Sequence, residues 1–184
     1  MSSTRLLSIA IVMVLSGAGH GGVLVAQDKN TVAVPGGLSF AEFKGYESWE
    51  FISLSKNDQL VAAILGNKAM IDAYKAGIPD NGKPFPDGAR MAKIHWVPKQ
   101  SATAPGPTTV AGQLHDVDFM VKDSKRFPEG GWGYAAFKYD SAKGTFTPQT
   151  ATDVPPQLND AKCGLGCHTI VKKRDYVFTE YPKR

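Results

Sequence analysis

The sequence predicts an α+β fold, a mainly antiparallel β-sheet with a few short helices in a single domain. Three observations lead there. Segments of two-residue hydrophobic alternation recur along the middle of the chain, turns rich in Pro, Gly, Asn and Asp separate them, and the stretches with helical spacing are brief. Strands joined by tight turns pair antiparallel. Length agrees, since 184 residues suit one domain around one buried core.

The elements follow in chain order. Residues 1–26 place Arg5 ahead of an apolar run from Leu6 to Leu15, followed by small residues, which is the pattern of a secretory signal peptide. The run is shorter than the ~20 apolar residues a spanning helix needs. Cleavage is expected after Ala26, with Ala18 as the alternative, leaving a periplasmic or secreted chain with no membrane span. Residues 27–37 read as a flexible N-terminal segment and 38–184 as the folded domain. In LSFAEF, Ser39 and Glu42 have capping-box spacing, so a short helix follows. WEFISLS and QLVAAILG, on either side of KND, read as a hairpin. NKAMIDAYKAGIP reads as a helix of two to three turns, with Asn67 as N-cap, Met70, Ile71 and Tyr74 on one face, and Gly77 and Pro79 as stop signals.

After the turns PDNG and PDG, ARMAKIHWV sets Ala92, Ile94 and Trp96 against Met91, Lys93 and His95, a strand with two unlike faces. KQSATAPGPTT is a loop by composition. QLHDVDFMVKD resumes the alternation, with His115, Val117, Phe119 and Val121 on one side. GGWGYAAFKYD gives a further strand, and TPQTATDVPPQLND is a proline-rich connector that delivers the chain to Cys163.

Composition excludes several function classes. The formal net charge is +4, and Arg5 is the one charged residue of the signal segment, so the mature chain carries +3. Acids interrupt the basic carboxyl tail and no basic stripe with interleaved aromatics occurs, so no nucleic-acid partner is expected. No Gly-rich phosphate loop, nucleophile elbow or HExxH helix is present.

Chemistry concentrates in CGLGCH, which holds the only two cysteines, Cys163 and Cys167, and sets His168 directly after the second. Covalent haem attachment uses two thiols for thioether bonds and a histidine for iron, usually as C-x-x-C-H. Here three residues intervene, and two of them are glycines whose backbone freedom would let a longer loop present both sulfurs. The alternative is a Cys163–Cys167 disulfide, which would close a loop too small to gain much from closure. A zinc site lacks a second pair of ligands. Further along, Lys93 reads either as a solvated strand lysine or as one pointing into a cavity, and Glu129 as an exposed turn residue or a positioned carboxylate. His95 shares the Lys93 face and is another candidate proton carrier. His95, His115, Met70, Met91 and Met120 are possible distal iron ligands, each equally explained as core or strand residues.

AYKAGIPDNGKPFPDGARMAKIHW, FMVKDSKRFPEGGWGYAAFKYD and CGLGCHTIVKKRDYVFTEY together resemble the cytochrome P-460 family, exported c-type haem proteins related to cytochrome c'-beta. VKDSKRF followed by GGWGY, with the late CH and DYVFT, is the specific combination. The resemblance implies that residues 38–184 form one haem domain, largely β and dimeric. One covalent haem c per chain would be held by Cys163 and Cys167, with His168 on the iron and the distal side open. It implies that Lys93 matches a lysine cross-linked to the porphyrin edge in hydroxylamine-oxidising members, and that Glu129 is similar in position to a proton-moving carboxylate. The implied activity is oxidation of hydroxylamine, or nitric oxide chemistry, with electrons leaving to a redox partner protein. The alternative is binding of a small nitrogen-containing or diatomic ligand without turnover.

Overall fold

The structure is a computed structural model that describes residues 27–34, 37–149 and 161–183. The expected signal segment and residues 150–160 of the connector lie outside the described residues. Six strands make one sheet: β1 (Glu50–Lys56), β2 (Val61–Gly66), β3 (Arg90–Gln100), β4 (Thr109–Lys122), β5 (Trp132–Asp140) and β6 (Thr145–Pro148). Their spatial order is their chain order, and every neighbouring pair is antiparallel. Helix α1 (Lys68–Lys75) joins β2 to β3, and α2 (Ala161–His168) runs into a 3-10 segment, Thr169–Arg174. The antiparallel α+β architecture predicted from the alternation is the one found. No helix among the described residues is long and apolar enough to cross a membrane.

Local signals account for most element boundaries. The Glu42 carboxylate accepts the Ser39 N–H at 2.8 Å, which starts the 3-10 turn Phe40–Phe43. Asn67 caps α1 by accepting the Met70 N–H at 3.1 Å, and Gly77 leaves the helix with φ +85°. Three differences from the sequence reading have physical causes. β3 continues to Gln100 through Pro98, because a register shift between Trp96 and Pro98 lets the sheet accommodate a residue with no N–H. β6 is only four residues long, too short to show a period. Residues 27–34, read as flexible, are packed: Val32 and Val34 are buried, and the Gln27 carboxamide accepts the Phe146 N–H at 2.8 Å and donates to its carbonyl at 3.2 Å.

Both faces of the sheet are covered, which explains why β5 is buried from Trp132 to Phe137 with no polar alternation. One face carries the aromatic cluster Phe40, Phe43, Tyr46, Phe119, Phe137 and Phe146, roofed by the N-terminal segment. Phe43 stacks on Phe119 with centroids 4.1 Å apart. The opposite face packs Met70, Ile71, Tyr74, Phe85, Met91, Trp132, Tyr134 and Val177 beneath α1 and the carboxyl-terminal segment. That second layer is incomplete, and it leaves a cavity.

Candidate functional site

The cavity has a volume of about 410 Å³ and opens on the sheet face that carries Lys93. Its floor is set by strand register, because residues on one face of neighbouring strands form rows. One row runs Met91, Met120, Tyr134, the next Ile64, Lys93, Asp118, Ala136, and the third Ala62, His95, Asp116, Lys138. Polarity therefore rises across the floor. The opposite wall comes from His168 and from Val177 to Glu180.

His168 ends α2, and its Nδ1 lies 2.6 Å from the Tyr176 carbonyl oxygen. A carbonyl can only accept, so Nδ1 carries the proton and Nε2 keeps its lone pair for a metal. Tyr134 and Phe178 flank the ring at centroid distances of 4.7 and 4.9 Å. Burial lowers the imidazole pKa, against the bond to Tyr176, and the Lys93 charge lowers it further. The neutral ring is the form that coordinates iron.

The turn that offers this carbonyl is itself braced. Asp175 and Tyr176 both have left-handed φ, +49° and +63°, conformations that non-glycine residues hold only under tertiary constraint. The constraint is the Asp175 carboxylate, which accepts from Lys122 Nζ at 2.7 Å and from the Phe85 N–H at 2.8 Å. Its backbone carbonyl accepts from Trp132 Nε1 at 2.8 Å. Lys122 is buried, also donates to the Gly130 carbonyl, and lies over the Trp132 ring. Sequence-distant motifs, VKD, GGW and DY, thus meet in one network behind His168.

Two glycines explain close approaches at the same place. A Cβ at Gly164 would lie 2.1 Å from Tyr134 Cγ, so only glycine lets α2 rest on β5. At Gly130, with φ +78°, a Cβ would meet Leu165 Cδ1 at 2.8 Å. Residues 163–168 are helical, and neither Gly164 nor Gly166 has positive φ. The three-residue spacing therefore puts positions 163 and 167 one helical turn apart on one side, as i and i+4. Cys167 is a free, exposed thiol.

The structure brings Lys93 and His168 to one cavity, with Met91 and Met120 on its floor. Lys93 has no hydrogen-bond or ion-pair partner among the described residues. Glu129 stands in an exposed turn and does not line the cavity. Nor do Met70, on the buried face of α1, and His115. Two carboxylates do line it, Glu180 on the carboxyl-terminal wall and Asp118 on the floor; of these it is Asp118 that lies directly across from Lys93 in register. Enclosure raises its pKa, and the neighbouring Asp116 adds to this against the opposing charges of His95, Lys93 and His115, so that it reaches about 6. The sequence held a signal for it: Asp116 and Asp118 alternate with Val117 and Phe119, so two acids share the face opposite the aromatic core.

A large flat cofactor fits these residues. The cavity size is within the range of small-molecule and cofactor sites, its walls set apolar Ile64, Met91, Met120 and Phe178 among polar groups such as Lys93 and Asp118, and a coordinating nitrogen faces inward. Tyr134 Oη is buried without a partner among the described residues, a polar atom that awaits one. No curated protein matches the chain. The family model for cytochrome P460 matches residues 43–179, which span β1 to the segment beyond α2 and include every cavity residue up to Thr179. With that match over most of its length, the chain belongs to the cytochrome P460 family, and membership implies a haem cofactor.

Proposed function

We propose that the protein is a periplasmic c-type haem protein that oxidises hydroxylamine and passes the electrons to a separate redox partner, acting as a homodimer. The observation that carries this reading is the single cavity shared by a metal-ready imidazole, a lysine with no hydrogen-bond or ion-pair partner among the described residues, and a carboxylate of raised pKa. Cys163 and Cys167 would form the thioethers from one side of α2, and His168 Nε2 would hold the iron. When bound, the haem supplies the coordination site for the substrate nitrogen and the sink for its electrons.

The chain's own residues have separable duties. Tyr176 fixes the His168 tautomer, so the coordinating lone pair needs no proton rearrangement. Lys93 is available to bond to the macrocycle edge, since no carboxylate holds it within 4.0 Å among the described residues. Asp118 takes the proton of the N–H substrate: a carboxylate of pKa about 6 is mostly ionised at pH 7 and still basic enough to accept. Apolar Met91, Met120 and Phe178 keep bulk water from the reacting atoms.

The test is a Lys93→Ala variant matured in an exporting host with its cytochrome assembly machinery. The ferrous absorption band should move to that of an ordinary c-type haem, and hydroxylamine-dependent reduction of an acceptor should be lost. An unchanged spectrum and rate would reject the cross-link. A wild-type protein that binds nitric oxide or carbon monoxide but never turns over would instead establish a gas-binding role.

A further inference from the structure

A second group of titratable residues adjoins the cavity without lining it. His95 Nδ1 lies 2.5 Å from Asp116 Oδ1 and 3.8 Å from Asp118 Oδ2, so one nitrogen faces two carboxylates. Asp116 Oδ2 lies 2.7 Å from His115 Nδ1. Side-chain exposure is 34% at Asp118, which faces the open cavity, falls to 12% at His95 and 11% at Asp116, and rises again to 42% at His115 on the far side. His115 is thus the end that meets solvent. Gln149 Nε2 reaches Asp116 Oδ2 at 3.5 Å, and Lys138, opposite Asp116 on β5, is exposed.

The contact between His115 and Asp116 is the informative one. Adjacent residues in a regular strand point to opposite faces, so their side chains do not meet. Here they meet because β4 is bulged: His95 pairs with Asp116 and Trp96 pairs with Leu114, which leaves His115 without an opposite residue. Bulges occur beside active sites, where they re-aim a side chain. This one turns His115 away from the aromatic core, the side on which simple alternation predicts it, and onto Asp116.

We propose that His95, Asp116 and the bulged His115 form a proton relay between Asp118 in the cavity and the solvent. This inference rests on the reading of the cavity as a site of haem redox chemistry. Each transfer moves one proton and changes no oxidation state. Asp118 takes a proton in the cavity. At rest His95 Nδ1 and His115 Nδ1 both donate to the Asp116 carboxylate, so His95 first gives its Nδ1 proton to Asp116 Oδ1, and Asp118 restores it after a small rotation of its carboxylate, which no other hydrogen bond among the described residues restrains. His115, exposed, exchanges through water to its Nε2–H tautomer, accepts the proton of Asp116 at Nδ1 and releases one to water from Nε2, which returns every group to its resting form. The net result is one proton carried from cavity to bulk, and the reverse sequence carries one inward. The opposing pulls on the two acids suit this use. Burial pushes Asp116 up, but the bonds from His95 and His115 outweigh it and hold its pKa below the usual value, whereas that of Asp118 is raised.

The experiment is stopped-flow on haem-loaded protein in weakly buffered solution with a pH-indicator dye. A photogenerated one-electron donor reduces the haem, the added negative charge draws a proton onto Asp118, and the dye times its arrival. Wild type should take up the proton in step with the change in haem absorbance. His115→Ala and Asp116→Asn should slow uptake by roughly a hundredfold without slowing reduction. Added imidazole should restore His115→Ala, where the lost group is at the surface, and not Asp116→Asn, a pattern that a purely structural role would not give. Equal uptake rates in wild type and both variants, or no uptake in wild type, would overturn the relay. Hydroxylamine turnover is measured separately, so intact relay kinetics without turnover would reject the proposed activity alone.

Discussion

Asp118 illustrates how a single side chain can oppose folding and serve chemistry. Between its ordinary value of 3.8 and about 6, the folded protein holds a proton there that the unfolded chain has released. This group therefore favours folding at low pH, and that contribution is lost as pH rises through about 6. Asp118→Asn removes the charge in the cavity, and its unfolding midpoint at pH 7.5 should lie above that of wild type, while well below the unfolded value of 3.8 the two should converge. In the same variant, the acidic limb of the pH profile of kcat/KM near 6 should disappear, along with most of the rate, by about 10²-fold or more. Thermal unfolding and steady-state kinetics across pH check both. The sequence showed which face of its strand Asp118 occupies, but not that this face borders a cavity. Glu129 is the carboxylate to which the resemblance points, and its exposed turn is a property of tertiary placement that no local pattern carries.

Among the elements, α2 departs most from what its sequence suggests. Two glycines in eight residues disfavour a helix by about 1 kcal/mol each, and CGLGCH gives no helical period. The element exists because it docks on Tyr134, and it docks because position 164 has no side chain. Gly164→Ala, although it raises intrinsic helix propensity, should lift α2 off β5 and misplace His168. Haem incorporation, read as pyridine haemochrome per chain, should fall several-fold, whereas Gly166→Ala, with nothing within 4 Å, should load normally. The strands, by contrast, were legible, because alternation is local: β1, β2, β4 and β5 fall close to where the period puts them. The bulge at His115 was not, since a one-residue register shift depends on the partner strand.

For the whole molecule, the division of labour lies between the two faces of one sheet. The aromatic layer holds the strands in register, and among the described residues its buried cluster has no titratable group other than Tyr46, whose phenol burial keeps protonated. The other layer carries the cavity, and the Lys122–Asp175 pair is the buried ion pair among the bonds that tie down its carboxyl-terminal wall. Breaking a buried pair from one side leaves the other charge uncompensated, which typically costs about 3–5 kcal/mol. Lys122→Met should destabilise by that order in urea unfolding, and combining it with Asp175→Asn should recover part of the loss.

The same pair has an electronic reach. The Tyr176 oxygen pulls on the imidazole proton, and a stronger pull makes Nε2 a better electron donor towards ferric iron. Slackening the tether at Lys122 should therefore shift the midpoint potential upwards in spectroelectrochemistry, although that lysine is no part of the cavity wall. Voltage in this protein would then be tuned by a strand's last residue, from behind the ligand it steadies.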